Sequence, residues 1–260
     1  MNPRHETNPR QPTQGVALIE MFGPASAGKT TITRMLSRRV EQVQFGCSLS
    51  RRRYAHYFLL RALAAGPGPC AGLLLGSGQN RRLAKARILL DVLYDVLGDA
   101  QQRVDALRHD HRPDPMALVF DQGPLYLLGA IHPTMRDGDK LHDAPRWWRN
   151  RLARWSNTLD VVISLDAPDE TLIGRVIDRE KDHPLYHRLK GASGPDALHT
   201  MEIRRSVFQE ILNGVGRGSA RVLSFDTSQQ SAEAIVEEII QQCGLPRCSN
   251  SGERRPLGRR

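Results

Sequence analysis

The chain is predicted to adopt an α/β fold, a mostly parallel sheet with helices on both faces. Three observations lead to that class. Short apolar runs alternate with longer stretches of helical periodicity. Three of the runs, Val16–Phe22, Ala117–Phe120 and Val161–Leu165, are nearly all apolar, as strands covered on both faces must be. The first run passes directly into a glycine-rich loop that opens a helix. The length of 260 residues, with 40% hydrophobic and 25% charged residues, is enough to bury a full core without disulfide staples. Collagen, coiled-coil rods and wholesale disorder are excluded by the same figures.

The elements follow in chain order. Residues 1–14 are polar and proline-rich, and are expected to form a disordered tail. Residues 15–243 hold the folded domain. Its strands are Val16–Phe22, Ala117–Phe120, Val161–Leu165 and Arg221–Phe225, with a further weak strand at Val43–Cys47. Its helices are Lys29–Val40, Arg82–Leu97, Arg146–Trp155, Asp169–Asp178, His199–Leu212 and Ala232–Gln242. The segment Arg51–Ala84 fits least well. Gly66-Pro67-Gly68-Pro69 and Gly76-Ser77-Gly78 interrupt any regular element there, so it is expected to be either a surface excursion bordering the substrate site or a plain disordered insertion. Residues 244–260 carry five arginines against one glutamate and are expected to be a disordered basic tail. Much of the net charge of +9 sits there, which favours a solvating role over a binding surface.

Several function classes are excluded. No run approaches the 18 or so apolar residues that a membrane helix needs. The N-terminus has no apolar core of a secretory signal, so a cytoplasmic location is expected. Of the four cysteines only Cys243 and Cys248 are close, and no second pair completes a zinc site.

The chemistry is concentrated beyond the carboxyl ends of the strands. The first strand runs into Gly23-Pro24-Ala25-Ser26-Ala27-Gly28-Lys29-Thr30, the Gly-x4-Gly-Lys-[Ser/Thr] pattern between a strand and a helix. The loop turns N–H groups inward around an anion, and the helix that follows adds its positive end. Lys29 reaches the β- and γ-phosphates, and the Thr30 hydroxyl is a ligand for Mg²⁺. Gly23, Ser26, Ala27, Gly28, Lys29, Thr30 and Thr31 are therefore the expected binding set for ATP.

The second clear strand ends in Asp121. Mg²⁺ is commonly held by one or two carboxylates plus phosphate oxygens, so Thr30 and Asp121 are the expected metal pair. Asp166 ends the next strand, but a helix starts near Pro168, and Asp166 is expected to cap it. Arg175 and Arg179 stand four apart on one helical face in a basic run. They are expected in a basic lid that neutralises charge on a transferring phosphoryl group. The stretch Arg146–Trp155 alternates arginine with tryptophan, as a nucleic-acid surface would. Its Trp148, Leu152 and Trp155 fall at helical spacing, however, and are expected to face the core.

On these residues the chain resembles the P-loop kinases that phosphorylate nucleosides, nucleotides and other small molecules, among them thymidylate kinase and the adenylate kinase-like enzymes. The resemblance is carried by GPASAGKTT, LVFDQGPLY, LDVVISLDAPDETLIGRVIDRE and RVLSFDTSQQSAEAIVEEI. It implies a P-loop NTPase with a five-stranded parallel core and an arginine-bearing lid, using ATP and Mg²⁺. It implies that Asp121 sits near the acceptor phosphate or hydroxyl, that Arg175 and Arg179 occupy lid positions, and that Asp226-Thr227-Ser228 lies near the adenine; Lys29, Asp121, Arg175 and Arg179 are the expected catalytic residues. One departure stands out. Thymidylate kinases have Asp-Arg where this chain has Asp121-Gln122, and glutamine cannot supply that charge to an acceptor phosphate.

The expected activity is phosphoryl transfer from Mg²⁺–ATP to an unidentified small-molecule acceptor, a nucleoside or nucleotide among the possibilities. Two alternatives are a nucleotide-switched ATPase or regulatory module, and a kinase acting on nucleic-acid 5′ ends.

Overall fold

The computed structural model describes residues 17–45, 78–97, 117–132, 134, 142–178 and 194–248. The expected tail at 1–14 and residues 249–260 of the tail expected over 244–260 lie outside the described residues, as do residues 51–77 of the excursion and Arg179 of the expected lid. The described chain forms β1 (Ala17–Phe22), α1 (Lys29–Arg39), β2 (Val43–Phe45), α2 (Gly78–Leu97), β3 (Ala117–Phe120) and α3 (Pro124–Ala130). It continues as α4 (Arg146–Thr158), β4 (Val161–Asp166), α5 (Asp169–Asp178), α6 (Gly194–Val215), β5 (Arg221–Asp226) and α7 (Ala232–Cys243).

The five strands form one sheet in the order β2-β3-β1-β4-β5. Every pairing is parallel, with Ala17 opposite Ala117, Glu20 opposite Phe120, Ile19 opposite Val161 and Val43 opposite Ala117. The weak strand is therefore present over Val43–Phe45, and the rest of the expected span to Cys47 lies outside the described residues. Asp166 stands opposite Asp226 at the ends of β4 and β5. In β5 the side chains at 223 and 225 are buried while those at 221, 224 and 226 are exposed, the alternation of a sheet edge.

Period-two alternation on the central strands feeds two cores. Ile19 and Met21 of β1 face α1, α5 and α7, where Ile32, Leu36, Leu172, Val176, Ile235 and Ile239 cover them. Leu18 and Phe22 face α2, α3, α4 and α6, through Leu90, Leu125, Leu128, Trp148, Leu152, Val207 and Ile211. Trp148, Leu152 and Trp155 are all buried, so the tryptophan stretch is core as its spacing indicates. Its outward residues pair with α2: Arg87 stacks over the Trp147 ring at 3.9 Å, and Arg151 bonds Asp91 at 2.5 Å.

Three local differences from the sequence reading have clear causes. α2 begins at Gly78, so the last seven residues assigned to the excursion are helical. α3, seven residues long, lacks the length for a periodic signal; Pro at its first position starts it, and packing against α4 and α6 sustains it. The C-terminal tail starts later than its composition implies. Leu245 is buried, Glu41 N–H donates to the Pro246 carbonyl at 2.9 Å, and Arg247 bonds Glu237 at 2.7 Å.

Trp148 joins both levels of this packing, since it is fully buried and its Nε1–H donates to the Leu128 carbonyl at 2.8 Å. Trp148→Phe should leave that carbonyl unpaired and open a void, lowering stability by about 2–3 kcal/mol in urea unfolding.

Candidate active site

β1 ends at Phe22, in the centre of the sheet, and the loop that follows has an unusual backbone. Gly23 has φ 140°, and a Cβ there would lie 2.0 Å from the Leu165 carbonyl oxygen of β4. Only glycine allows the chain to turn this close to the neighbouring strand. Ser26, 9% exposed, takes the left-handed φ of 65°, and Gly28 at φ 90° is the N-cap of α1. No acidic residue stands in the first turn of α1, so its positive end keeps its full attraction for an anion. The Lys29 Nζ donates to the carbonyls of Gly23 and Pro24, both at 2.7 Å, and so lies across the loop. Ala27 is buried beneath, while Thr30 and Thr31 are exposed at the start of α1.

The parallel pairing of β1 with β3 brings Asp121 to the same edge. The Thr30 hydroxyl donates to Asp121 Oδ2 at 3.1 Å, across 91 residues of sequence. Asp121 Oδ1 is buried with no hydrogen-bond partner. A hydroxyl, a carboxylate and a desolvated lone pair are the hard oxygen donors that suit Mg²⁺. Among the described residues no three His, Cys, Asp or Glu side chains gather as a metal cluster. Among the described residues, Thr30 and Asp121 are the pair that could contribute to holding a cation.

Arg175 lies on α5 with its guanidinium against the loop. It donates to Thr227 Oγ1 and to the Thr227 carbonyl, each at 2.9 Å, and to the Ser26 carbonyl at 3.4 Å. Thr227 Oγ1 in turn donates to the Asp166 carbonyl at 3.0 Å. The β5–α7 loop at Asp226-Thr227-Ser228 is therefore stitched to the P-loop. Asp166 has two tasks. One oxygen accepts from the Ala167 N–H at 2.9 Å, and the other pairs with Arg205 of α6, which also binds Asp169.

One buried group escaped the sequence reading. Glu20, in the middle of β1, is fully buried. Its Oε2 accepts from the Leu125 N–H at 3.0 Å and its Oε1 from the Tyr126 N–H at 2.9 Å, in the first turn of α3. The signal was present in the sequence, as a lone carboxylate within a run otherwise apolar enough to be buried on both faces. Burial pushes its pKa up to about 7, against the opposing pull of the Leu125, Tyr126 and Gly123 backbone and of Lys29.

Because that pKa lies above the unfolded value of 4.5, the folded state holds a proton that the unfolded state releases. The associated stability is present below pH 4.5 and is lost as pH rises towards 7. Across that window the wild type should lose on the order of 3 kcal/mol relative to Glu20→Gln, in paired denaturation curves against pH. Gly23→Ala places its methyl on the Leu165 carbonyl. It should abolish binding of a fluorescent ATP analogue in equilibrium titration.

No family model matches the chain. Cytidylate kinase of Roseiflexus castenholzii is 24% identical to it over 243 residues, which are 92% of this chain and 98% of that protein. Among solved structures, the YorR protein of Bacillus subtilis, in complex with phosphorylated GDP, matches with a TM-score of 0.44 and 15% identity. That match covers 88% of this chain and 96% of YorR. With its glycine-rich loop between β1 and α1 and its all-parallel five-stranded sheet, the chain is similar to that cytidylate kinase along nearly its whole length.

Proposed function

We propose that the protein is a Mg²⁺–ATP-dependent phosphotransferase acting on a small-molecule acceptor of the nucleotide or nucleoside class. The observation that carries the reading is the Thr30–Asp121 contact beside Lys29, which joins the metal-binding and phosphate-binding groups at the carboxyl edge of the sheet. The cytidylate kinase relative supports a nucleotide acceptor and makes cytidine monophosphate the first to offer.

The residues divide the work. Backbone N–H groups of the loop from Ala25 to Thr30 would cradle the ATP phosphates. Lys29 exchanges its two loop carbonyls for β- and γ-phosphate oxygens. Thr30 and Asp121 would hold Mg²⁺, which supplies charge neutralisation on the phosphates when bound. Arg175 keeps the Thr227 loop against the P-loop, where the adenine would rest. The acceptor oxygen attacks the γ-phosphorus in line as the bond to the β–γ bridging oxygen breaks, and the acceptor proton departs to solvent or a carboxylate. Catalysis is then mainly positioning and charge neutralisation. Arg179 would close from the lid, and Gln122, exposed beside Asp121, offers an amide where thymidylate kinases have a cation.

The test is an acceptor screen with γ-labelled ATP and Mg²⁺, offering nucleoside monophosphates, nucleosides, other hydroxylated small molecules and 5′-hydroxyl oligonucleotides. Label is expected on one nucleotide or nucleoside class. Lys29→Ala should lower kcat by roughly a thousandfold or more while the thermal melt keeps its shape. Label released only as free phosphate, whatever the acceptor, would replace this reading with an ATPase or nucleotide switch. Label on oligonucleotide ends alone would replace it with a nucleic-acid kinase.

A further inference from the structure

We propose that Glu20 is a positioning residue that holds Asp121 against Thr30, acting through the first turn of α3. The inference rests on the reading of Thr30 and Asp121 as the Mg²⁺ pair.

The argument begins with reach. The Glu20 carboxylate leaves β1 and takes two successive N–H groups, those of Leu125 and Tyr126, on the helix that follows β3. One side chain therefore ties the strand that feeds the P-loop to the element that follows Asp121. Only Gln122, Gly123 and Pro124 separate Asp121 from the first anchored N–H. On its other side Asp121 follows Phe120, which stands opposite Glu20 in the β1–β3 ladder. The carboxylate thus restrains the Asp121 loop from beyond, and the ladder restrains it from before.

The helix has no substitute for this bond. Its N-cap is Gly123, which has no side chain, its first residue is Pro124, which has no N–H, and its first turn contains no acidic residue. A carboxylate accepting two N–H groups at a helix start is a strong, directional bond. The fit is tight from the loop side too. A Cβ at Gly123 would lie 2.6 Å from the Glu20 Cδ and 2.9 Å from the Phe120 Cβ. Any side chain at 123 would push the loop and Asp121 away from the strand.

A cap that served stability alone would change the melt and nothing else. A positioning residue also changes how the cation is used. The experiment is a titration of a mant-labelled ATP with and without Mg²⁺, on the wild type, Glu20→Gln and Gly123→Ala, with Asp121→Asn as the benchmark. Glutamine keeps the size of the side chain but turns one acceptor into an NH₂ that opposes an N–H. In Glu20→Gln, affinity without Mg²⁺ should stay within about twofold of wild type, since the phosphate loop is untouched. The gain in affinity on adding Mg²⁺ should fall by about tenfold, towards that of Asp121→Asn, as for residues that orient a metal ligand. Full retention of the Mg²⁺ gain in folded Glu20→Gln would overturn the proposal. Should that variant fail to fold, Gly123→Ala strains the same link from the loop side, and a wild-type Mg²⁺ gain there would overturn it equally. A wild type that shows no Mg²⁺ gain at all would also overturn it. A wild type with the full gain that phosphorylates no acceptor would defeat the kinase reading alone, and the Glu20→Gln comparison would still decide this one.

Discussion

The site depends on one close approach. Where the chain leaves β1 at Gly23, its backbone passes so near the Leu165 carbonyl that no side chain fits. That contact seats the loop on the end of β4, and the remaining contacts build outward from it. Ser26 takes its left-handed turn above, Arg175 holds the Ser26 carbonyl and the Thr227 loop together, and Thr227 returns to Asp166 at the end of β4. The phosphate loop is thus packed between three strand ends.

The parallel sheet then decides which residues meet. β1 lies between β3 and β4, so the loop after β1 has the β3 end on one side and the β4 end on the other. Asp121 arrives from the first side and bonds Thr30. Asp166 arrives from the second and is taken up by Arg205 and the Ala167 N–H, a structural role. The two aspartates are alike in sequence context, each closing an apolar strand. Their difference lies in what packs over them: α6 brings a cation to Asp166, while one oxygen of Asp121 stays buried without a partner. Glu20 adds a third carboxylate to this edge, committed to backbone N–H groups. Its burial is unfavourable to the charged form and raises its pKa, so the same side chain that orders the α3 start makes the region sensitive to pH.

The agreement between sequence and structure follows from the range of the interactions involved. The strands at 117–120 and 161–166 and the helices over 29–39 and 146–158 are legible because burial on two faces, or on one stripe, imposes a pattern on neighbouring residues. Lys29 and Thr30 are legible because the loop that holds them is a local backbone structure with its own glycine requirement. α3 is not, because a helix of seven residues depends on contacts from α4, α6 and Glu20. The placement of Arg175 is not either. Its position on a helix is a local fact, whereas its partners Ser26 and Thr227 are 149 and 52 residues away.

The sequence by itself determined the α/β class, the central strand and the phosphate loop, since hydrophobic periodicity and glycine conformation act over a few residues. The sequence already pairs Asp121 with Thr30 as a candidate, but only the tertiary structure decided that Asp166 serves Arg205 and that a carboxylate in β1 anchors the helix after β3. Those pairings depend on strand order and on which helix crosses which strand end, and no local spacing encodes them.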